Sequence, residues 1–510
     1  MRAFRAIDEE KPVALIRLAI VFLAPLVLAA SQGDELAAKS RRAKEAMAAG
    51  RFDEAGALYE HLVRALPGNA GLVFNLGLAR FSAGRCQEAA AAFQDAVRLD
   101  PGQAMAWLLL GMSRLKLNDP GGALEPLRHA VRLQPDHATA RLELGDALLS
   151  LGRYDECVVH LRRLTELTPR DPRAWYGLGA CYLQLSRSAF ARLEESAPHS
   201  AHWYALLARS RAEQQQFRSA YYYYRQALAA QPAFRGVHAA IAEIYRRQGR
   251  EDWAAREEER ERDLPAPDCT RKSPECCFLR EQYEDALRLA VQRRDPEGLY
   301  WTSRVSAELA LLAFHQLNGL GPSPFRHRLA AEAFRLQERH ADAVREWRAA
   351  VALAPDDVTL KLDLARSLMH NQEHEAARAV LEELVRLMPG SAEAHLLLGL
   401  SLLNLQEAAQ AVPVLESALR LDAQSVATRA ALGRACLQTG RPAEAVPHLE
   451  AAVSSDEDGN LHYLLAQAHL RSGNREKAEA FLRRYQELRQ TAQERARLRE
   501  EQFQITAPLP

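Results

Sequence analysis

Apolar residues recur every three or four positions along most of the chain, which is the pattern of amphipathic α-helices. In residues 104–137, apolar positions surround Gly111, a polar turn follows near Asn118, and a second apolar series runs from Ala123 until Pro135 ends it. A proline has no backbone N–H and cannot continue a helix. We expect two short helices here, whose axes approach each other at the small residues Gly111 and Ala123.

The same pattern returns at a fixed interval of 34 residues. The interval is marked by Pro67, Pro101, Pro135 and Pro169, by Gly77, Gly111, Gly145 and Gly179, and later by Pro355 with Pro389 and Gly399 with Gly433. A period of this size indicates a stacked array of helix pairs, because a single pair cannot bury its own apolar face.

The helix pairs resemble the tetratricopeptide repeat, whose pattern is W-x2-L-G-x2-Y, then A-x3-F-x2-A, then P. The matching residues are Trp175, Leu178, Gly179 and Tyr182 for the first helix and Ala89, Phe93, Ala96 and Pro101 for the second. The resemblance implies an all-α TPR solenoid, a right-handed superhelix of helix-turn-helix repeats with about 12 to 13 units in two arrays.

The phase of the repeat locates the units. Those of the first array, 36–264, are predicted to start near residues 36, 70, 104, 138, 172, 201 and 235, and those of the second array, 297–490, near 297, 324, 358, 392, 426 and 459. The fifth unit is short, because Pro169 and Pro232 are 63 residues apart instead of 68. The units at 235 and 297 match the pattern poorly.

The last predicted helix, 475–503, overlaps the final repeat and is highly charged. Terminal repeats need a polar outer face, so we interpret it as a C-terminal capping helix and expect the tail after it to be frayed. A run of four tyrosines, Tyr221 to Tyr224, covers all sides of another helix. We expect Tyr224 in the core and at least one other phenol exposed, either at an interface or in a distorted repeat.

Residues 265–296 interrupt the period and form an insert between the arrays. The insert opens with prolines and charges, and one amphipathic helix is predicted over 276–292. Cys269, Cys276 and Cys277 cluster here and form a possible disulfide if the chain is exported; free thiols are the alternative. No second cysteine pair or histidine pair completes a zinc pattern. The remaining cysteines are isolated in the sequence: Cys86, Cys157, Cys181 and Cys436.

Residues 18–30 read LAIVFLAPLVLAA, with basic residues before them and polar residues after them. A short apolar core that ends in the small residues Ala29 and Ala30 resembles a secretory signal peptide. An uncleaved anchor is the alternative, although the core is shorter than the ~20 residues of a membrane span. We expect residues 1–30 to be a signal peptide or N-terminal membrane anchor. The repeats would then be periplasmic or extracellular, or would be held outside the cytoplasm by the anchor.

The resemblance also implies that the first helix of each pair lines a concave groove. Apolar residues occupy groove positions in three units, in addition to the core positions: Phe74, Leu78, Phe81, Met105, Leu108, Met112, Leu115, Leu396, Leu400 and Leu403. A helix that is apolar over so much of its surface needs two partners. One is the neighbouring repeat. The other is either a guest protein segment or another part of the same assembly.

The charge balance narrows the possible partners. Lys and Arg total 66, Asp and Glu total 66, and the net charge is zero, whereas nucleic-acid binders usually carry a basic excess. No phosphate loop, dinucleotide turn, metalloprotease motif or haem attachment motif is present, so we predict no cofactor, no metal and no catalytic residue. His199 and His202 are too few to form a metal site by themselves.

The sequence therefore predicts a non-catalytic protein–protein interaction scaffold or adaptor, which binds partner segments in its concave groove in an exported or membrane-attached setting. Two alternatives stay open. One is a thiol-dependent or hydrolytic enzyme activity that uses the insert. The other is a self-assembling structural protein that forms homo-oligomers.

Overall fold

The structure, a computed structural model, describes residues 34–508, with the backbone alone at Arg499. Its contacts divide the chain into two compact units, of which the first ends at Cys181 and the second begins at Tyr182. The predicted signal peptide or membrane anchor, 1–30, lies outside the described residues. Between residues 34 and 508, no helix has the length and apolar character that a membrane span needs.

The described chain is a helical repeat solenoid. Residues 34–508 form α-helices and one short 3₁₀ helix, Val453–Ser455, and contain no strand. From the start of the first unit, the helices are α1 (34–48), α2 (Phe52–Ala65), α3 (Ala70–Ser82), α4 (Cys86–Leu99), α5 (Ala104–Lys116), α6 (Pro120–Leu133), α7 (Ala138–Ser150), α8 (Tyr154–Leu167) and α9 (Pro172–Ser196), which contains the division between the units.

The helices of the second unit after α9 vary more in length than those of the first unit. They are α10 (Ala201–Glu213), α11 (Phe217–Ala230), α12 (Val237–Arg247), α13 (Glu251–Asp263), α14 (Pro274–Leu279), α15 (Tyr283–Ala290), α16 (Pro296–Gly319), α17 (Pro324–Leu336), α18 (His340–Leu353), α19 (Val358–His370), α20 (His374–Leu387), α21 (Ala392–Asn404), α22 (Ala408–Leu421), α23 (Val426–Gln438), α24 (Pro442–Ala452), α25 (Asn460–Arg471) and α26 (Arg475–Gln502).

Within a pair, the two helices approach closely at a glycine. In the pair α5/α6, Leu127 lies against Gly111 so closely that a Cβ at position 111 would come 2.5 Å from Cγ of Leu127. Gly145 and Leu161 have the same relationship in the pair α7/α8. Ala123, the other small residue, is completely buried. The helices of a pair therefore meet at the small residues, as the sequence predicts.

Successive pairs are linked by a hydrogen bond to the proline that ends each repeat. The indole Nε1 of Trp107 donates to the carbonyl oxygen of Pro101 at 2.8 Å, and Trp175 donates to Pro169 at the same distance. The carbonyl groups at the end of a helix have no partner within the helix. Each tryptophan instead binds a carbonyl in the turn just after the helix, and so joins the start of one unit to the end of the preceding one.

Most helix starts follow the predicted phase, but two predicted units do not form helix pairs. The unit at 172 is one long helix, α9, and the unit at 297 is one long helix, α16. No glycine or proline stands between Gly179 and Pro198, so nothing in that stretch ends α9 where a turn is expected. The prediction of a shortened repeat at 172 was therefore wrong.

The long helix α16 contacts elements that are distant in sequence. The hydroxyl of Ser186, in the last part of α9, donates to the carbonyl oxygen of Ser303 at 2.8 Å. The Arg209 guanidinium of α10 pairs with the Glu308 carboxylate at 2.7 Å. Within the second unit, α16 therefore packs against both the end of α9 and α10.

The insert, 265–296, lies within the second unit. It contains two short helices, α14 and α15, where the sequence predicts one helix over 276–292. The break falls at Glu281, whose φ of 58° is left-handed and cannot belong to an α-helix. The ring of Phe278 lies 5.4 Å from that of Trp301, so the insert packs against α16.

Helix α26 ends the described array. Its first turns pack on α25, where the ring of Phe481 stacks on His469 at 5.5 Å. The residues after the helix are not frayed as predicted, because Pro508 is buried and the carbonyl oxygen of Thr506 accepts hydrogen bonds from α11 and α12.

Candidate interaction surface

Helices α3 and α5 carry a stripe of apolar side chains that the repeat core does not fully cover. In α5, which contacts both α3 and α7, the thioether side chain of Met105 is 43% exposed. The other apolar side chains of the stripe are half-buried. We call this stripe the apolar face; it consists of Phe74, Leu78, Phe81, Met105, Met112 and Leu115.

Two predicted groove residues lie in the core instead. Leu108 is only 4% exposed and Leu403 only 1%, so both belong to the packing between helices. In the second unit, Leu396 and Leu400 of α21 are half-buried and pack against the core of their own array, as Phe74, Leu78 and Phe81 do in the first unit. The apolar face of the first unit is therefore the larger of the two predicted surfaces.

Two contacts fix the aromatic rings of the apolar face. The ring of Phe74 lies 5.7 Å from the ring of Phe93 in α4. The ammonium group of Lys116 lies 4.6 Å from the centre of the Phe81 ring, a cation–π distance. These contacts restrict the two rings and reduce the side-chain entropy that binding would cost.

The apolar face ends at a pair of carboxylates in α7. Asp146 holds the position that Leu78 and Met112 hold in the two preceding units, since the three are 34 residues apart. Burial of the carboxyl group among neighbouring atoms raises the pKa of Asp146 to about 7; the negative charge of Glu143 adds to the shift, and the Arg173 guanidinium of α9 opposes it. Part of the Asp146 side chain is nevertheless exposed at the edge of the surrounding protein atoms. A cation that reached this carboxylate would stabilise its charged form.

The cysteines of the insert are divided between a disulfide and a thiol. Cys269 is joined to Cys276, with their Cα atoms 5.6 Å apart. Cys277 is free and 2% exposed. Cys276 is thus bonded and Cys277 buried, so neither presents an accessible thiolate of the kind that thiol catalysis requires.

A second disulfide joins Cys157 of α8 to Cys181 of α9, with a Cα separation of 6.2 Å. Both residues are isolated in the sequence, and no pairing between them was predicted. The missed signal is the repeat phase, because Cys157 takes the position of Ala123 and Cys181 that of Ala147, 34 residues earlier in each case. These are positions where only small residues fit between adjacent helices.

The two histidines considered as ligands diverge. His199 has a φ of 64° and precedes α10, and its ring contacts Trp203. His202 lies between the rings of Phe234 and Tyr300, at 5.2 and 5.3 Å. Over residues 34–508, no group of three or more His, Cys, Asp or Glu side chains is placed to hold a metal ion.

Comparison with known families agrees with the repeat geometry. Models of the tetratricopeptide repeat match residues 40–104, 114–181, 328–392, 362–426, 396–460 and 430–493, which is more than half of the chain. The chain belongs to the tetratricopeptide repeat family. Members of this family typically act as protein-interaction scaffolds and are generally not enzymes. The matches leave out residues 182–327, which contain the long helix α16 and the insert.

Solved structures of other tetratricopeptide repeat proteins resemble parts of the chain. One is the MamA protein, with 20% identity over 39% of this chain and 93% of that chain and a TM-score of 0.29. Another is YrrB, described as a TPR protein with an unusual peptide-binding site, with 22% identity over 37% of this chain and 83% of that chain and a TM-score of 0.27. No curated protein matches the chain.

Proposed function

We propose that the protein is a non-catalytic interaction scaffold whose first unit binds an extended or helical protein segment on the apolar face. The observation that carries the proposal is the accessible apolar stripe on consecutive first helices, from Phe74 of α3 to Leu115 of α5. Exposed apolar patches of this kind usually mark contact sites. Most of the binding free energy would come from apolar burial, at ~25 cal/mol per Å² before ordering costs.

The carboxylates of α7 make one end of this surface acidic. A guest that places apolar side chains along α3 and α5 would meet Glu143 and Asp146 at the end of the stripe. A lysine or arginine at that point of the guest would add to the charge of Arg173 beside Asp146 and further favour the charged carboxylate. We therefore propose a partner segment that is apolar along most of its contact and basic at one end.

Site-specific crosslinking tests the location of this surface. The photoreactive residue p-benzoylphenylalanine replaces Met105 on the apolar face, or Val159 of α8 as the matched control. Val159 is 64% exposed and lies on the second helix of its pair. We expect irradiation in the native host to give a protein adduct at position 105 and none at 159. Adducts of the same partner at both positions would contradict the proposal, and an adduct with a second copy of the chain would replace it with self-assembly.

We further propose that the repeats lie outside the cytoplasm. The two disulfides, Cys157–Cys181 and Cys269–Cys276, support an oxidising compartment, and the signal-like residues 18–30 agree with export. Fractionation of the native host, followed by N-terminal sequencing, tests the location and separates a cleaved signal from a retained anchor. Recovery of the full chain from the cytoplasm with all thiols reduced would contradict export.

A further inference from the structure

The C-terminal segment of the chain is bound to the second unit as an extended peptide. The ring of Phe503 lies 5.1 Å from Tyr222 and 5.8 Å from Tyr223. Five residues later, Pro508 is buried. The segment 503–508 is therefore covered at both of its ends, and it contains no regular secondary structure between them.

Two tyrosine hydroxyls bind the backbone between these two ends. Tyr221 of α11 and Tyr245 of α12 donate to the carbonyl oxygen of Thr506 at 3.0 and 2.7 Å. The Thr506 hydroxyl lies 2.9 Å from the Tyr221 hydroxyl. Both tyrosine side chains are almost completely buried, and a buried hydroxyl needs a hydrogen-bond partner. The Tyr245 hydroxyl also lies 3.2 Å from the Tyr221 hydroxyl, so the two tyrosines and the tail form one hydrogen-bonded group.

The tyrosines are themselves held in place before they contact the tail. The ring of Tyr245 lies 5.7 Å from Tyr221 and 5.4 Å from Trp253 of α13. The ring of Tyr223 stacks on Tyr204 of α10 at 6.2 Å. We call the four residues Tyr221, Tyr222, Tyr223 and Tyr245 the tyrosine site. The rings of Tyr221, Tyr223 and Tyr245 thus have contacts in α10, α12 and α13 that do not involve the tail, whereas Tyr222 contacts Tyr223 and the tail.

The tail reaches the tyrosine site on a helix whose last turns are in solvent. The described side chains of α26 from Arg489 to Gln502 are exposed, a length of about 20 Å at 1.5 Å per residue. Open cavities of about 550 and 580 Å³ flank the contact, one beside Phe217 and the other beside Arg218 and Gln248. The end of α26 is thus not sealed into a core, and the tail contacts resemble those of a tethered ligand.

We propose that the tyrosine site is a peptide-binding site whose ligand in cis is the chain's own segment Phe503–Pro508. The site would accept a partner segment of the same chemistry, namely an extended peptide with an aromatic residue, a free backbone carbonyl three residues later and a proline two residues after that. The tether gives the cis ligand a high effective concentration. A partner must displace it, so the tail limits access to the site. The proposal concerns the second unit alone and holds whether or not the apolar face of the first unit binds a partner.

A labelled peptide with the sequence of residues 501–508, EQFQITAP, tests the proposal. The peptide is titrated by fluorescence anisotropy into the full chain and into a chain that ends at Gln502. We expect the shortened chain to bind the peptide at least tenfold more tightly than the full chain. A peptide with alanine in place of Phe503 should bind at least tenfold more weakly than the original peptide. Absence of binding by a shortened chain of unchanged helicity would overturn the proposal.

Two further variants keep the test decisive if the shortened chain does not fold. In the full chain, Phe503→Ala weakens the cis contact and should let the peptide bind more tightly than to wild type; equal affinities would contradict a displaceable tail. Tyr221→Phe with Tyr245→Phe removes both donors while keeping both rings, and should abolish peptide binding in either background. Tyr463→Phe, in α25, is the matched control. A full chain that is dimeric, and becomes monomeric on shortening, would show that the tail binds in trans and overturn the cis assignment.

Discussion

Leu127 of α6 occupies the space that a Cβ on Gly111 of α5 would need. A Cβ added to Gly111 would lie only 2.5 Å from the Cγ atom of Leu127. The pair α5/α6 supports Met105 and Met112 of the apolar face, so the spacing of these two helices sets the surface that we propose to be functional. The contact explains why glycine recurs at this position of the repeat.

Gly111→Ala should lower the free energy of unfolding. The added methyl group forces Leu127 or the helix backbone to move, which typically costs ~1–3 kcal/mol in a packed core. Gly56→Ala in α2 is the matched control, because a Cβ there meets nothing within 4 Å. That control should be neutral or stabilise the helix by ~0.5–1 kcal/mol. Chemical denaturation followed by circular dichroism measures both. If Gly111→Ala left the free energy of unfolding unchanged, the close contact between position 111 and Leu127 would not limit the spacing of the two helices.

The repeat phase made much of the fold predictable from local sequence. The starts of α3, α5 and α7 were predicted at 70, 104 and 138, where the structure has them, because each start depends on nearby proline, glycine and apolar spacing. The continuous helix α9 could also have been inferred, since its sequence lacks a breaker before Pro198. The packing of α16 against Ser186 depends on contacts far apart in sequence, which no local pattern encodes.

The candidate surface was predictable only in part. The apolar spacing identified the correct helices, but it did not separate Leu108, which is buried, from its neighbours Met105 and Met112, which are accessible. The difference depends on how closely α5 approaches the adjacent helices. The docked tail was missed for a related reason, because its anchors on Tyr221 and Tyr245 lie more than 250 residues away in the chain.

Asp146→Asn should stabilise the first unit at neutral pH and have little effect in acid. The pKa of this carboxyl is raised to about 7 in the folded chain, above the ~4 of an unfolded aspartate. Between those values the folded state binds more protons, so its stability falls as the pH rises. The variant does not carry this penalty.

The difference in melting temperature between Asp146→Asn and wild type should therefore grow from pH 4 to pH 7 and level off above it. Glu45→Gln, an exposed carboxylate of α1, is the control and should show no such growth. A difference that is constant with pH would contradict the raised pKa.

Thiol counting should find three reactive cysteines in the protein isolated from its host. Cys86, Cys277 and Cys436 are free, and the other four cysteines are paired. Alkylation in denaturant without reductant should add three labels by intact mass, and prior reduction should raise the number to seven. Seven labels without reduction would contradict both disulfides and remove the main support for an oxidising compartment.

The most direct test of the scaffold is a crosslinked pull-down from the native host that compares wild type, Met105→Glu/Met112→Glu and Val159→Glu by quantitative mass spectrometry. The double variant places charge on the apolar face at positions that are not buried, whereas the control places it on an exposed residue of α8. We expect wild type and Val159→Glu to recover the same partner, and the double variant to lose it while keeping its helicity. Recovery of that partner at equal yield by all three proteins would contradict binding at the apolar face.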